Sequence, residues 1–241
     1  MYEILNNLDI SNLISDSPYK YMGNNVPRVT KVLSFINDEY IIPWANYIGY
    51  YKRIKYKDEI DKACFIGSNV HEGIEYFLQN KIINEEKLLS INNIDTMNKI
   101  RNGIESFKLW YNDICHNNIE ILGIEQELVC PWFGGTYDLL MKINNKIYLV
   151  DFKTSNHVGY KYFMQLAAYR FMLKNYYNIN IDGCIILQVK KDKIEYEEYC
   201  LLLDNPIHKS FLDLCEQGFI YTLNALIYKI NIENEFKKIF K

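Results

Sequence analysis

The spacing of apolar residues predicts a mostly helical first half. Apolar positions recur at helical intervals between about residues 86 and 117, which predicts a long helix there. A second helix is marked by the stripe Val70, Ile74, Phe77 and Leu78. Asn69, followed three residues later by Glu72, resembles a capping box, so we expect this helix to run from Asn69 to about Asn80. A short helix capped by Thr30 is predicted upstream.

The second half predicts strands around one buried helix. A strand is expected at about residues 121–130, two more flank the asparagines at 144–145, and another two lie within residues 184–203. Residues 160–174 are apolar nearly all round, as expected of a buried helix. A C-terminal helix is predicted over residues 206–230, because proline favours the first turn of a helix.

The turn at residues 144–145 fixes which residues face each other in its hairpin. If these asparagines form a two-residue turn, Ile143 pairs with Lys146, and counting outward places Asp138 opposite Asp151. The Cβ atoms of directly opposed residues lie about 4.5–5.5 Å apart, and like charges at that distance repel each other. A cation between the two carboxylates would remove the repulsion, and a divalent metal ion is the candidate that we favour.

Lys153 adds a third polar group to the same face of the hairpin. It lies two residues beyond Asp151, and side chains two apart on a strand point to one side. The neighbouring positions are apolar, so an unpaired acid would be costly to bury there. The alternative is a surface hairpin in which Lys153 merely neutralises one aspartate, but exposed pairs of that kind need no apolar flanks. The pattern therefore favours a functional site.

The motif G-x-x-D followed by D-F-K-T resembles the RecB-like branch of the PD-(D/E)XK nuclease superfamily. Gln165 and Tyr169 in Q-L-A-A-Y match the Q-x-x-x-Y signature of that branch, and His71 in G-S-N-V-H-E matches a helical histidine of many such enzymes. The segment V-P-R-V-T-K-V-L is similar to the opening motif of viral exonucleases and of the mitochondrial genome-maintenance exonuclease, with Arg28 where serine is usual. The matches run in order from Pro27 to Tyr169.

The resemblance implies an α/β fold class. It implies a restriction-endonuclease-like αβββαβ core, with a mixed central sheet flanked by helices and a helical N-terminal elaboration. A length of 241 residues and a hydrophobic content of 49% fit one sizeable domain. We expect a single nuclease domain over residues 1–241, with a mostly helical part at 1–118, the catalytic core at 119–203 and a C-terminal helix at 204–241.

The resemblance also implies the roles of individual residues. Mg²⁺ or Mn²⁺ would be bound by the side chains of His71, Asp138 and Asp151 and by the carbonyl of Phe152. Lys153 would orient the attacking water or stabilise charge in the transition state. The expected catalytic residues are Asp138, Asp151, Lys153, Gln165 and Tyr169. Without the resemblance, we would interpret His71 as a structural histidine and Gln165 as a core residue bonded to backbone. The resemblance favours a role in the site for both residues.

Two glutamates precede the hairpin on one face of the same predicted strand. In the RecB-like branch an acidic residue commonly comes before the G-x-x-D motif, and Glu127 is the better match to it. We therefore expect Glu127 to contribute to the site. For Glu125 we expect a side chain that faces solvent.

The net charge of −3 does not indicate a nucleic-acid-binding protein, so a local patch would have to provide the binding surface. Residues 47–57, Y-I-G-Y-Y-K-R-I-K-Y-K, interleave cations with tyrosines, a mixture suited to single strands. The alternative is a solvated helix whose tyrosines pack inward, and the sequence does not decide between the two. The expected nucleic-acid-binding residues are Arg28, Tyr51, Lys52, Arg53, Lys55 and Lys57.

The resemblance implies a metal-dependent DNA exonuclease. We expect it to act on single-stranded DNA or free ends in replication, recombination or repair, together with proteins of those processes. The alternatives are a structure- or sequence-specific endonuclease and a nonenzymatic nucleic-acid-binding or virion-structural module.

No apolar run approaches the length of a membrane span and the N-terminus does not resemble a targeting peptide, so we expect a location in the cytosol of a bacterium or a virus-infected cell. The six cysteines contain no C-x-x-C pair, which argues against a zinc ribbon.

Overall fold

The computed structural model describes Leu5, residues 17–36 and residues 41–240. The predicted helical part at residues 1–118 thus includes some positions that lie outside the described residues. A two-stranded ribbon, β1 (Lys20–Tyr21) and β2 (Asn24–Asn25), precedes the helices. The helices are α1 (Val29–Leu33), α2 (Ile41–Tyr47), which continues into a π-helical turn at Ile48–Lys52, α3 (Tyr56–Asn80), α4 (Glu85–Leu89) and α5 (Ile94–Ile114).

A five-stranded mixed sheet follows. Its elements along the chain are β3 (Ile119–Val129), β4 (Gly134–Ile143), β5 (Lys146–Lys153), α6 (Tyr160–Tyr176), β6 (Gly183–Val189), β7 (Tyr196–Leu202) and α7 (Pro206–Ile239). The strands lie in the order β3-β4-β5-β6-β7, and every neighbouring pair is antiparallel except β5 and β6. A parallel pair needs a crossover connection, which α6 provides. The mixed sheet flanked by helices confirms the predicted restriction-endonuclease-like fold class.

The sheet separates two hydrophobic cores. One core lies under α6 and α7 and includes Leu140 and Phe171, and the other lies under α3 and α5 and includes Leu139 and Ile74. Adjacent residues of β4 enter different cores because side chains alternate along a strand. The two helices that carry predicted site residues, α3 and α6, therefore approach the sheet from opposite faces.

The hairpin of β4 and β5 has the predicted register. Its turn residues, at positions 144–145, have φ values of 49° and 68°, as a type I′ turn requires. The backbone pairing extends from the turn to Leu139 and Val150. The next two facing positions are Asp138 and Asp151. The asparagine turn therefore places both aspartates at the end of the paired part of the hairpin.

The predicted start of α3 at Asn69 is wrong. The helix begins at Tyr56, and the side-chain amide of Asn69 donates to the carbonyl of Phe65 inside the helix at 2.9 Å. Acidic residues at 58 and 59 occupy the first turn, where they interact favourably with the helix dipole. As a result His71 lies well inside α3 and not in its first turn.

Other helix boundaries also differ from those predicted. The N-cap of α1 is Arg28, and Thr30 lies inside the helix. The single helix expected over residues 86–117 is two helices, because the side chain of Asn93 accepts from the amide of Thr96 and so starts a new helix. The C-terminal helix α7 extends to Ile239. Among the described residues no helix is both long and apolar enough for a membrane span.

Candidate active site

Asp138 lies where β4 and β5 separate. Past the last backbone pair of the hairpin, the amide of Phe152 donates to Asp138 Oδ2 at 2.6 Å. The other oxygen, Oδ1, lies 3.5 Å from Nδ1 of His71. Burial raises the pKa of Asp138, but the charge and hydrogen bond of His71 outweigh burial and hold this pKa below its usual range. Asp138 therefore remains an anion that links β5 to α3.

His71 reaches from α3 to the end of the hairpin. Its Nδ1 lies 3.7 Å from Oε1 of Glu125, and its Nε2 lies 3.1 Å from the carbonyl oxygen of Phe152. Burial lowers the pKa of the imidazole, but Asp138 outweighs burial by charge and hydrogen bonding and raises this pKa to about 10. With no ion bound, the ring therefore holds a proton that balances the carboxylates, and it would have to release that proton to bind a metal ion.

The ligand atoms of His71, Glu125 and Asp138 lie within 4.8 Å of one another. One nitrogen and two carboxylate oxygens form a donor set that suits Mn²⁺ and can also serve Mg²⁺. Glu125 belongs to this group because the β3–β4 ladder places it opposite Asp138. These three residues come from one helix and two strands, so the tertiary fold brings them together.

The prediction that Glu125 faces solvent is wrong, because its side chain is half-buried beside His71. Glu127, which we expected to contribute, is not one of the residues grouped around Asp138. Glu125 has a φ of 45°, a left-handed conformation that costs a non-glycine residue about 1–2 kcal/mol. The ladder also shifts register between Ile121 and Gly123. Such irregularities redirect side chains. In this part of β3, Glu125 lies beside His71, whereas Glu127 is exposed.

A signal for Glu125 was present in the sequence. The β3–β4 connection closes with a bond from the amide of Cys130 to the carbonyl of Phe133, at 3.0 Å. Counting outward from this turn places Glu125 opposite Asp138, just as counting from the asparagine turn places Asp151 opposite Asp138. The face pattern alone could not separate two glutamates that are two residues apart.

Replacing Glu125 by glutamine should weaken Mn²⁺ binding by at least about tenfold, since even indirect partners of metal ligands commonly contribute that much. Glu127→Gln is a matched control on the same strand, and it should leave Mn²⁺ affinity unchanged. Isothermal titration of the folded proteins with Mn²⁺ measures both. Equal affinities for the two variants would remove Glu125 from the metal site.

Asp151 is a buried carboxylate with an incomplete set of partners. Its side chain is almost fully buried, and its Oδ1 has no hydrogen-bond partner among the described residues. The ammonium of Lys153 lies 2.5 Å from Oδ2. Burial raises the pKa of Asp151 to about 6, while the charge of Lys153 opposes that shift. A buried, under-coordinated carboxylate near Asp138 fits a site for a cation.

Lys153 connects this carboxylate to α6. Its Nζ donates to Oε1 of Gln165 at 3.4 Å, and Nε2 of Gln165 donates to the hydroxyl of Tyr169 at 3.3 Å. The ring of Tyr162 lies 4.8 Å from the same ammonium. Burial lowers the pKa of Lys153, but the charges of Asp151 and its neighbours outweigh burial and raise this pKa. Gln165 thus contacts the side chains of Lys153 and Tyr169, which differs from the alternative of a core glutamine bonded to backbone.

The glycine of the G-x-x-D motif allows α6 to come close to β4. A Cβ on Gly135 would lie 2.6 Å from Cε1 of Tyr169, which is too close for any larger residue without a shift. The hydroxyl of Tyr169 is therefore held near the aspartates, and burial raises its pKa. Two motifs more than 30 residues apart in the chain pack directly against each other.

The tyrosines of residues 47–57 do not pack inward, which contradicts one of the two alternatives for this segment. Tyr47, Tyr50 and Tyr51 are 51%, 78% and 70% exposed. The ring centroid of Tyr51 lies 5.2 Å from that of Tyr47 and 4.9 Å from that of Tyr50. Lys52, Arg53, Lys55 and Lys57 are also exposed. We call residues 47–57 the tyrosine–lysine segment.

Arg28 is distant from the tyrosine–lysine segment in the sequence and lies beside the first residue of β4. It is exposed, and its backbone forms a parallel bridge with Gly134. The amide of Gly134 donates to the carbonyl of the preceding residue, Pro27, at 3.0 Å. The opening motif is thus joined to the strand that carries Asp138.

No protein-family model matches this chain. A curated relative is the chromophore lyase CpcS/CpeS homolog of Gracilaria tenuistipitata var. liui, 26% identical over 183 residues, which cover 74% of this chain and 99% of that protein. A similar solved structure is the alkaline exonuclease (LHK-Exo) from Laribacter hongkongensis, with 12% identity, 56% of this chain and 70% of that chain covered, and a TM-score of 0.33. LHK-Exo in complex with dAMP gives 10% identity, coverage of 72% and 97%, and a TM-score of 0.35. None of these likenesses assigns the chain to a family.

Proposed function

We propose that the protein is a metal-dependent deoxyribonuclease that hydrolyses phosphodiester bonds, and that it acts as an exonuclease on single-stranded ends. The observation that carries the proposal is the convergence of Asp138, Asp151 and Lys153 where β4 and β5 separate, with a histidine and a further glutamate beside them. This set combines ligands for a divalent ion with a cation that can face a phosphate.

The residues at this point fit Mg²⁺ or Mn²⁺. Glu125, Asp138 and His71 would hold the ion together with Asp151, whose Oδ1 has no hydrogen-bond partner among the described residues. The carbonyl of Phe152 would be a further ligand, in exchange for its contact with Nε2 of His71 at 3.1 Å. When bound, such an ion stabilises charge on the phosphate and lowers the pKa of a bound water, so that the water can lose a proton and attack near neutral pH.

Lys153 is held in a fixed position for the same reaction. Asp151 on its own strand and Gln165 on α6 contact its ammonium from two directions. A donor that is already oriented stabilises developing negative charge without reorganisation during the reaction. We propose that Lys153 stabilises the charged phosphate or orients the attacking water, and that Gln165 and Tyr169 position Lys153.

The tyrosine–lysine segment supports single-stranded DNA as the substrate. Exposed aromatic rings can stack on unpaired bases, and neighbouring cations can follow the phosphates. Both kinds of side chain are exposed together there. Arg28, beside the strand that carries Asp138, is proposed to contact the backbone of the same substrate.

Tyr51→Ala should reduce the affinity for a single-stranded oligonucleotide by roughly 5- to 150-fold, because stacking contributes about 1–3 kcal/mol per base. Tyr199→Ala is the control, since Tyr199 is also exposed but lies on β7. Fluorescence anisotropy without added metal measures binding separately from cleavage. Equal affinity of the two variants would argue against the tyrosine–lysine segment as the binding surface.

Linear and circular single-stranded DNA distinguish the proposed exonuclease from an endonuclease. We expect Mg²⁺ or Mn²⁺ to support degradation of end-labelled linear DNA while covalently closed circles remain intact. Cleavage of circles would show an endonuclease at the same site. If neither substrate is cut although the DNA is bound, the protein is a nonenzymatic binding module and the proposal is wrong.

A further inference from the structure

The longest helix, α7, has an exposed apolar seam. Its inner face contributes residues such as Leu212, Phe219 and Leu223 to the core beneath α6. On the outer face, large apolar side chains are between 37% and 78% exposed. These residues, which we call the α7 seam, are Ile207, Phe211, Leu214, Tyr221, Tyr228, Ile232 and Ile239.

The α7 seam has the spacing of a coiled coil. The repeat runs from Ile207 to Ile239, and its successive positions are separated alternately by four and by three residues. Most of these positions hold the large side chains of the α7 seam. The others hold Gly218, Ala225 and Glu235. This is the repeat of the a and d positions, which a helix uses to pack against a second helix. The helix has 34 residues and is therefore about 50 Å long.

We propose that α7 pairs in the antiparallel direction with α7 of a second copy of this chain. In an antiparallel pair, an a position of one helix faces a d position of the other. With the two-fold axis at residue 223, Gly218 faces Tyr228 of the second copy, and Ala225 faces Tyr221 of the second copy. The two smallest residues of the repeat thus oppose the two tyrosines.

The remaining layers also match in this register. Leu214 faces Ile232 of the second copy, and Ile207 faces Ile239. Glu235 faces an aromatic ring and is the polar exception, but its carboxylate is neutralised by Lys238 at 2.6 Å. A parallel pair would instead place tyrosine against tyrosine and glycine against glycine, which alternates crowded layers with gaps. The sizes of the side chains therefore favour the antiparallel pair.

The charges and the area of the α7 seam also suit a second copy. The a positions are Phe211, Gly218, Ala225, Ile232 and Ile239. Four of the five residues that precede them, Ser210, Gln217, Asn224 and Asn231, are uncharged and create no repulsion across a two-fold axis. The fifth, Lys238, pairs with Glu235 of its own helix. Seven large side chains that bury about 100 Å² each would remove about 700 Å² per copy, close to the roughly 800 Å² of a stable interface. An isologous pair of this kind closes as a dimer.

Sedimentation velocity with multi-angle light scattering tests the dimer. The wild-type protein should be a dimer, and Leu214→Glu combined with Tyr228→Glu should shift it to a monomer with an unchanged circular dichroism spectrum. Leu89→Glu changes an equally exposed leucine on α4 and should leave the dimer intact. A wild-type protein that is monomeric at every concentration measured would overturn the proposal.

A size exchange tests the register. Ala225→Tyr and Tyr221→Ala should each weaken the dimer by about 30-fold, the effect of a typical hot-spot residue. The double variant exchanges the large and small partners and should restore the dimer to within about threefold of wild type. A double variant as weak as the singles, or weaker, would exclude the antiparallel register. None of these substitutions touches the proposed nuclease site, so cleavage is a separate readout.

Discussion

Replacing Lys153 by methionine should reduce the rate of DNA cleavage by at least about 10²–10³-fold, the loss seen when one oriented donor of a transition-state site is removed. Methionine keeps the apolar stem of the side chain but not its charge. The variant should remain folded and should still bind single-stranded DNA, because the tyrosine–lysine segment is unchanged. Asp151 would lose its cation at 2.5 Å, so the measurement should include a thermal unfolding curve.

Lys146→Met is the matched control for this experiment. Lys146 lies at the other end of the same strand and forms an exposed ion pair with Asp204 at 2.7 Å. Its substitution removes a charge from β5 without reaching the site. Single-turnover cleavage at saturating Mn²⁺ compares the two variants. If Lys153→Met cleaves as fast as Lys146→Met, Lys153 has no part in the reaction.

Asp138→Asn should abolish detectable Mn²⁺ binding and lower cleavage by at least about 10²-fold. Both oxygens of Asp138 have partners at the site, since one oxygen accepts from the amide of Phe152 and the other faces His71. The amide of asparagine has almost the same shape but no charge. The loss would therefore report the charge of Asp138 and not the packing.

Asp204→Asn provides the control for Asp138→Asn, because Asp204 is an exposed carboxylate with a single lysine partner. Mn²⁺ binding is followed by electron paramagnetic resonance of the free ion, and cleavage is measured on the same samples. Unchanged Mn²⁺ affinity in Asp138→Asn would show that the metal is held elsewhere. Loss of cleavage with intact Mn²⁺ binding would limit Asp138 to orienting the substrate.

The hairpin could be predicted from the sequence because its turn is chemically specific. Two asparagines both adopt positive φ, and the length of that turn sets the register as far as Leu139 and Val150. What could not be predicted is the separation of the strands beyond that pair. There the amide of Phe152 donates to the side chain of Asp138, a contact that no pattern of apolar residues encodes.

The start of α3 shows how a local signal can mislead. Asn69 and Glu72 have the spacing of a capping box, but that spacing also occurs within helices. The helix extends across Asn69 because its apolar face packs from Ile66 to Leu78 against α5 and the sheet. Helix propensity and caps are weak compared with such packing. The position of His71 within the helix followed from tertiary contacts.

Single-turnover cleavage of an end-labelled linear single strand by the wild type and by Asp151→Ala, each titrated with Mn²⁺, tests the proposed metal-dependent site. For the wild type we expect cleavage that rises with Mn²⁺, saturates, and stops on addition of a chelator. We expect no cleavage by Asp151→Ala. Metal-independent cleavage, or equal cleavage by the variant, would contradict a metal-dependent nuclease site at Asp151.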